Sequence, residues 1–316
     1  MAMAALWADY LAKIPQVYVV LGYAYMSLVL SWPLFLLLEK ITPVVPRTPL
    51  ANFWLNWRIT ASNLVLSPLI SSMVIVATAA LALGLDLPRL NLNTSGLGVG
   101  LPLLDTLMQG TVIFFTACLL GDFSYYWWHR AQHQIPFLWE MHKLHHSDEN
   151  LNTTTIYRSH FTESAGQALF RGLSVGLVFD PAQAPQTVLA IVAGGLLLVL
   201  WDYFIHANVR IDALHRFLPF FSTPQYHWVH HSKLPQHQDK NFAIWLPLYD
   251  VLFGSYYKPT VDEYPPTGLA SGEKIETVWA AQSGPLVAWC AMLARPLRRL
   301  KAVEQGSAKA PAESEP

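Results

Sequence analysis

Five stretches of the chain are mostly apolar, and polar residues collect in blocks between them. Val17–Leu38 and Leu64–Leu85 hold no charged residue, and each is long enough to cross about 30 Å of hydrocarbon as a helix. Thr106–Gly121 is shorter but continues from LPLLD. Ser164–Phe179 and Pro185–Trp201 flank the segment DPAQAP, the pattern of a helical hairpin broken at proline, with Arg171 interrupting its first arm. The N-terminal MAMAALWADYLAKIPQ lacks the basic start and small-residue end of a signal peptide. The first run therefore reads as a retained helix, kinked at Pro33. VWAAQSGPLVAWCAMLARPL, followed by Arg298, Arg299 and Lys301 after its own Arg295, suits an interfacial helix.

Composition agrees with this pattern. Hydrophobic residues make up 53%, charged residues 13%, and mean hydropathy is +0.30, against roughly 25% charged residues in soluble domains. A net charge of -1 with no basic cluster gives no footprint for nucleic acid. Cys118 and Cys290 imply no disulfide framework. GLGVG at 96–100 has the wrong spacing for a dinucleotide fingerprint and reads as a loop. The sequon at Asn93 matters only in a glycosylating compartment. Glu39–Asn63 carries Lys40, Arg47 and Arg58 while Asp86–Leu101 carries only Arg89, which favours a cytoplasmic first connection. The third helix then delivers His129 to the cytoplasm.

Histidine is what changes the picture. With 12 histidines in 316 residues, the pattern HxxHH is expected about 0.02 times per chain by template counting. It occurs twice, as HKLHH (His142, His145, His146) and HWVHH (His227, His230, His231). HRAQH adds His129 and His133, and WDYFIHANV adds His206. Residues three and four apart share a helix face, so each motif reads as a one-sided row of imidazoles. Neutral imidazole is the commonest transition-metal side-chain ligand. Nine imidazoles exceed what one ion can use, and two ions with four or five nitrogens each is the natural count.

DFSYYWWHRAQH, HKLHHSDENLN, YFIHAN and STPQYHWVHH resemble the successive signatures of the fatty acid hydroxylase superfamily, in its sterol desaturase and alkylglycerol monooxygenase branch. The resemblance covers roughly residues 121 to 256. DKNFAIWLPLYDVLFGSYY is similar to the closing segment, with Tyr249 where tryptophan is usual, and RSHFTE resembles an R-x-H-P-x-E element with Phe161 in place of proline. The resemblance implies an all-α integral membrane helical bundle with a cytoplasmic histidine-rich cap. It implies two iron ions (zinc can replace them in recombinant material), with dioxygen as co-substrate, and hydroxylation or desaturation of a lipid. The implied ligands are His129, His133, His142, His145, His146, His206, His227, His230 and His231. The chain then divides into N-terminal transmembrane helices over 1–120, a catalytic region over 121–260 containing a membrane hairpin at about 164–204, an interfacial segment over 261–300 and a disordered tail over 301–316.

Further residues carry alternatives. His160 is a tenth ligand, a residue behind the ligands, or a loop histidine bonded to backbone. Asp202, four residues before His206, binds metal or holds the second nitrogen of an imidazole; Asp122 and Glu163 are weaker candidates for that duty. His215 and His237 read as ordinary interface or loop residues. Trp127, Trp128, Trp139 and Trp228 suit a membrane boundary. The sequence shows no dinucleotide fingerprint and no cysteine cluster for iron–sulfur. Electrons are therefore expected from a separate ferredoxin or small cytochrome with an NAD(P)H reductase, docking near the histidines with the basic residues around Arg295–Lys301 available to it. The competing reading is a membrane metal-binding protein for transport or sensing without redox catalysis.

Overall fold

The computed structural model describes residues 32–45, 49–84, 94, 96–179, 185–218 and 220–307. Among these residues, a helical segment over 32–41 is followed by eight α-helices: α1 (Leu50–Gly84), α2 (Pro102–Gln134), α3 (Pro136–His146), α4 (Glu163–Val178), α5 (Pro185–His206), α6 (Pro224–His230), α7 (Leu248–Leu252) and α8 (Val278–Ser307). Among the described residues there is no strand, only an isolated bridge between Ser232 and Thr267. The all-α expectation is met.

Two of these helices, α2 and the Leu189–His206 part of α5, are long and apolar enough to cross a membrane. On α2, Leu103, Leu107, Phe115, Leu119 and Phe123 are exposed at near-helical spacing. The opposite face packs on α4 and α5 through small residues. A Cβ on Gly194 would stand 3.1 Å from Cys118 Sγ and from the Phe114 carbonyl, and one on Gly121 would stand 2.7 Å from Leu198 Cδ1. Close backbone approach at small residues is how helices associate where both faces are apolar. Further along, Gly166 of α4 lets Trp128 lie across it, the ring edge 2.1 Å from where a Cβ would be.

Several boundaries differ from expectation. The connection Glu39–Asn63 is not a loop throughout, since α1 starts at Leu50 and runs on through Pro68. The third apolar run extends at both ends into a single 33-residue helix that carries His129 and His133 on its last turns. The hairpin arms appear as α4 and α5, and their connection, 180–184, lies outside the described residues, as do Asn93 and most of the first expected span, Val17–Leu38. The helix expected to end before residue 301 continues to Ser307.

Pro136 sets up the site. The residue before a proline is pushed out of the α region; Ile135 is extended (φ -101°, ψ 111°), α2 stops at Gln134, and Pro136 starts α3. The chain thus doubles back, and the histidines of α3 return onto those of α2. Thr223 caps α6 by accepting from Tyr226 N, with Pro224 at the first helical position.

Candidate metal centre

All nine motif histidines converge. Nitrogens of His129, His133, His142, His146 and His230 lie within 4.8 Å of one another (site 1), as do nitrogens of His145, His206, His227 and His231 (site 2). The two sites adjoin, with the rings of His146 and His231 stacked at 4.4 Å. The one-sided row expected of each HxxHH motif is corrected here. Partners four apart, 129/133, 142/146 and 227/231, share a site, whereas His145 and His230 cross to the other. Helical neighbours differ by about 100° while residues four apart differ by about 40°, so each motif serves both sites.

Four of the ring nitrogens that face away from the sites are held by hydrogen bonds, whereas Nδ1 of His227 and of His231 is buried without a partner. His129 Nδ1 donates to Phe242 O (2.8 Å), His230 Nδ1 to Lys240 O (2.7 Å), His142 Nδ1 to Glu163 Oε1 (2.8 Å) and His206 Nδ1 to the Asp202 carbonyl (2.7 Å). Each such bond fixes the tautomer that turns Nε2 and its lone pair inward. Burial and neighbouring imidazoles depress His145, His146, His227 and His231 far below the ordinary histidine value, and burial takes His230 down to about 3. These side chains are neutral at physiological pH.

The donor set fits metal ions. In site 1 all five Nε2 atoms are buried without a hydrogen-bond partner, a costly arrangement unless something accepts their lone pairs. In site 2 the Nε2 atoms of His145, His206, His227 and His231 form a chain spaced 3.1, 2.9 and 3.1 Å. Imidazole–metal bonds of about 2.1 Å put right-angled neighbours about 3.0 Å apart.

The supports behind these ligands are only partly those expected. Asp202 holds His206 through its backbone carbonyl, its carboxylate oxygen standing 3.2 Å from Nδ1. Glu163 is the stronger of the carboxylate candidates, bonding both His142 and Gln132 Nε2 (3.0 Å). His160 joins neither site, because Thr162 Oγ1 (2.7 Å) and Gln282 O (3.0 Å) take its two nitrogens. Asp122 reaches no histidine; it accepts from the backbone N–H groups of Ile244, Trp245 and Leu246. Buried Asp250 accepts from Phe242 N, Ala243 N, Tyr226 Oη and Ser255 Oγ. These two carboxylates pin the 240–246 loop whose carbonyls orient His129 and His230. Sequence reasoning missed the loop because a carbonyl has no side-chain signature. His237, expected to be ordinary, is buried and bonds Ser232 Oγ (2.9 Å) and Glu263 Oε1 (3.0 Å). His215 is half-buried and reaches only Gln225 Oε1, at 3.3 Å. Trp128 and Trp228 are buried, the latter donating to Pro265 O (2.7 Å), so of the four expected boundary tryptophans Trp127 alone is exposed and Trp139 is half-buried.

Two cavities meet the histidines. One of about 360 Å³ runs between α1, α4 and α5, walled by His142, His145, His206, Glu163, Asp202 and Tyr125 together with Leu64, Ile156 and Val199. The other, about 470 Å³, is reached from the polar side past Glu140, Lys143 and Asp239 and touches His133, His146 and His230.

The fold and site define an all-helical protein with two adjoining all-histidine groups able to hold metal and two helices long and apolar enough to span a bilayer. Residues 114–255, just under half of the chain, match the fatty acid hydroxylase family model. The chain is similar to alkylglycerol monooxygenase of Danio rerio (33% identity over 143 residues, 45% of this chain and 30% of that protein) and of Xenopus tropicalis (32% over 135 residues, 43% and 28%). It is also similar to an ornithine lipid hydroxylase of Rhizobium tropici (30% over 142 residues, 45% and 40%). The chain spans under a third of the length of the alkylglycerol monooxygenases it matches. No solved structure gives a significant match.

Proposed function

We propose that this chain is a multi-pass membrane oxidoreductase that hydroxylates or desaturates a lipid with dioxygen, using two iron ions held by the nine histidines. Five buried, uncommitted Nε2 atoms beside a chain of four more carry the reading. Site 1 residues would hold one ion and site 2 residues the other. With iron bound there, these residues would hold a centre whose chemistry is the activation of dioxygen toward an unactivated C–H bond. Hydroxylation consumes one dioxygen, two electrons and two protons per lipid and releases an alcohol and water.

The protein's own residues supply the rest. Phe242 O, Lys240 O, Glu163 and the Asp202 carbonyl hold four imidazoles with Nε2 aimed inward. The apolar walls between α1, α4 and α5 exclude water and align an acyl or isoprenoid chain beside both sites. Active-site helices that begin where apolar helices end let a lipid enter from the bilayer with the site on the cytoplasmic face. A ferredoxin or small cytochrome with an NAD(P)H reductase delivers electrons on the polar side, past His133 and His146. The relatives' names favour a lipid monooxygenase over a metal transporter or sensor.

The test is anaerobic purification in lipid, metal analysis and turnover with a ferredoxin–reductase pair, with products read by comparative lipidomics of cells with and without the gene. Two ions per chain and a reductant-dependent oxidised lipid are expected. One ion per chain, or sustained turnover with no reductant, would refute the proposal.

A further inference from the structure

Two carboxylates stand in the wall of the 360 Å³ cavity with acceptor capacity to spare. Glu163 is 6% exposed; its Oε1 serves His142 and Gln132, while Oε2 is buried and has no hydrogen-bond partner. At Asp202 the His206 proton goes to the backbone carbonyl, and the carboxylate receives no hydrogen bond from any described residue, Oδ1 being buried. Of the donors in the same wall, Tyr125 Oη and Gln167 Nε2 bond no described residue, and three others are committed. Thr60 Oγ1 donates to Asn56 O, Ser67 Oγ to Phe161 O and Asn63 Nδ2 to Ser159 O. An otherwise largely apolar chamber thus keeps open acceptors on one carboxylate behind each histidine site. A buried acceptor left unmade is costly, so sites built this way select a ligand that donates.

We infer that Glu163 and Asp202 are specificity residues that recognise a hydroxyl on the lipid, adjacent to the carbon that is oxidised. Resting on the reading of this cavity as the lipid chamber, the inference narrows its substrates to hydroxylated lipids. A fatty acid anion would face two like charges. An ammonium head would face the cations that the neighbouring imidazoles are suited to hold. A neutral hydroxyl satisfies an open carboxylate oxygen without either conflict. Tyr125, on the same wall, can donate to the hydroxyl oxygen in return.

The experiment uses the full-length chain in lipid nanodiscs loaded with zinc, which binds the same nitrogens without redox turnover. Calorimetric titration compares hexadecane-1,2-diol, 1-methoxyhexadecane, hexadecylamine and palmitate, each corrected for empty discs. The diol should bind roughly tenfold more tightly than the methyl ether, the worth of one hydrogen bond to a charged acceptor. Glu163→Gln and Asp202→Asn, compared at matched zinc content, should each cut the ratio of diol to ether affinity by roughly three- to tenfold, whereas a purely structural role would move both affinities together and leave the ratio as it was. Equal binding of diol and ether, tightest binding of palmitate or hexadecylamine, or an unchanged ratio in both variants would overturn the inference. Metal content of the same samples separates the two levels. A sample that takes up one ion contradicts the proposed function, whereas a two-ion sample indifferent to the hydroxyl contradicts this inference alone.

Discussion

Asp250→Asn isolates the contribution of the 240–246 loop, because Asp250 touches no histidine. Its Oδ1 accepts from Phe242 N (2.8 Å) and Ser255 Oγ (2.7 Å), and its Oδ2 from Ala243 N (2.8 Å) and Tyr226 Oη (2.8 Å). Burial pushes this carboxyl above the usual range, and the four donors oppose that shift. Asparagine keeps one acceptor oxygen and turns an NH₂ toward the other pair. The hydroxyl there can rotate to accept, but the backbone N–H cannot, so one buried donor is orphaned at a cost of about 1–3 kcal/mol. Asp250→Ala orphans both backbone N–H groups and should cost about twice as much. Phe242 then loosens, and with it the carbonyl that orients His129. Loss of such a support typically lowers metal affinity or activity about 10- to 100-fold. The assay is denaturant unfolding in detergent alongside metal analysis at limiting iron. The Asn variant should be destabilised and should lose the site 1 ion first, approaching one ion per chain. Wild-type stability with full metal content, or simultaneous loss of both ions, would refute the reasoning.

The division into two sites predicts that His206→Ala empties site 2, and that His129→Ala combined with His133→Ala empties site 1, each leaving about one ion per chain by metal analysis. Metal-free protein should lose stability as pH falls. Histidines neutral in the fold and protonated when unfolded contribute stability that is complete above the ordinary value of 6.5 and drains away toward the folded value, about 3 for His230. Unfolding midpoints between pH 8 and 4 check this, and a maximum near pH 5 would contradict it. Gly166→Ala should cost about 1–3 kcal/mol, because its Cβ would meet the Trp128 ring at 2.1 Å. His237→Ala should cost a similar amount by removing a buried side chain with its bonds to Ser232 Oγ and Glu263 Oε1, whereas His215→Ala should be nearly neutral in the same unfolding assay.

The sequence by itself carried the set of converging histidines and the helical class. HxxHH and HxxxH are local patterns, and the apolar runs beside them have helix length, so which nine imidazoles gather and on what kind of element was legible residue by residue. That helices flank DPAQAP on both sides was legible for the same reason, since proline acts on its own neighbours. What only the tertiary structure decided lies in contacts between distant segments. Nothing local says that His145 and His230 exchange sites, because that depends on how α3 and α6 are rotated against each other. His160 has the composition of a ligand and is turned to Gln282, 122 residues away, by the docking of α8. Asp122 reads as a candidate imidazole partner and Asp250 carries no signal of its own until the fold brings the 240–246 loop to both, after which its carbonyls set the tautomers of His129 and His230. A side-chain pattern is written in the chain; a carbonyl's partner, an orphaned carboxylate oxygen and the cavity it faces exist only once the helices have packed.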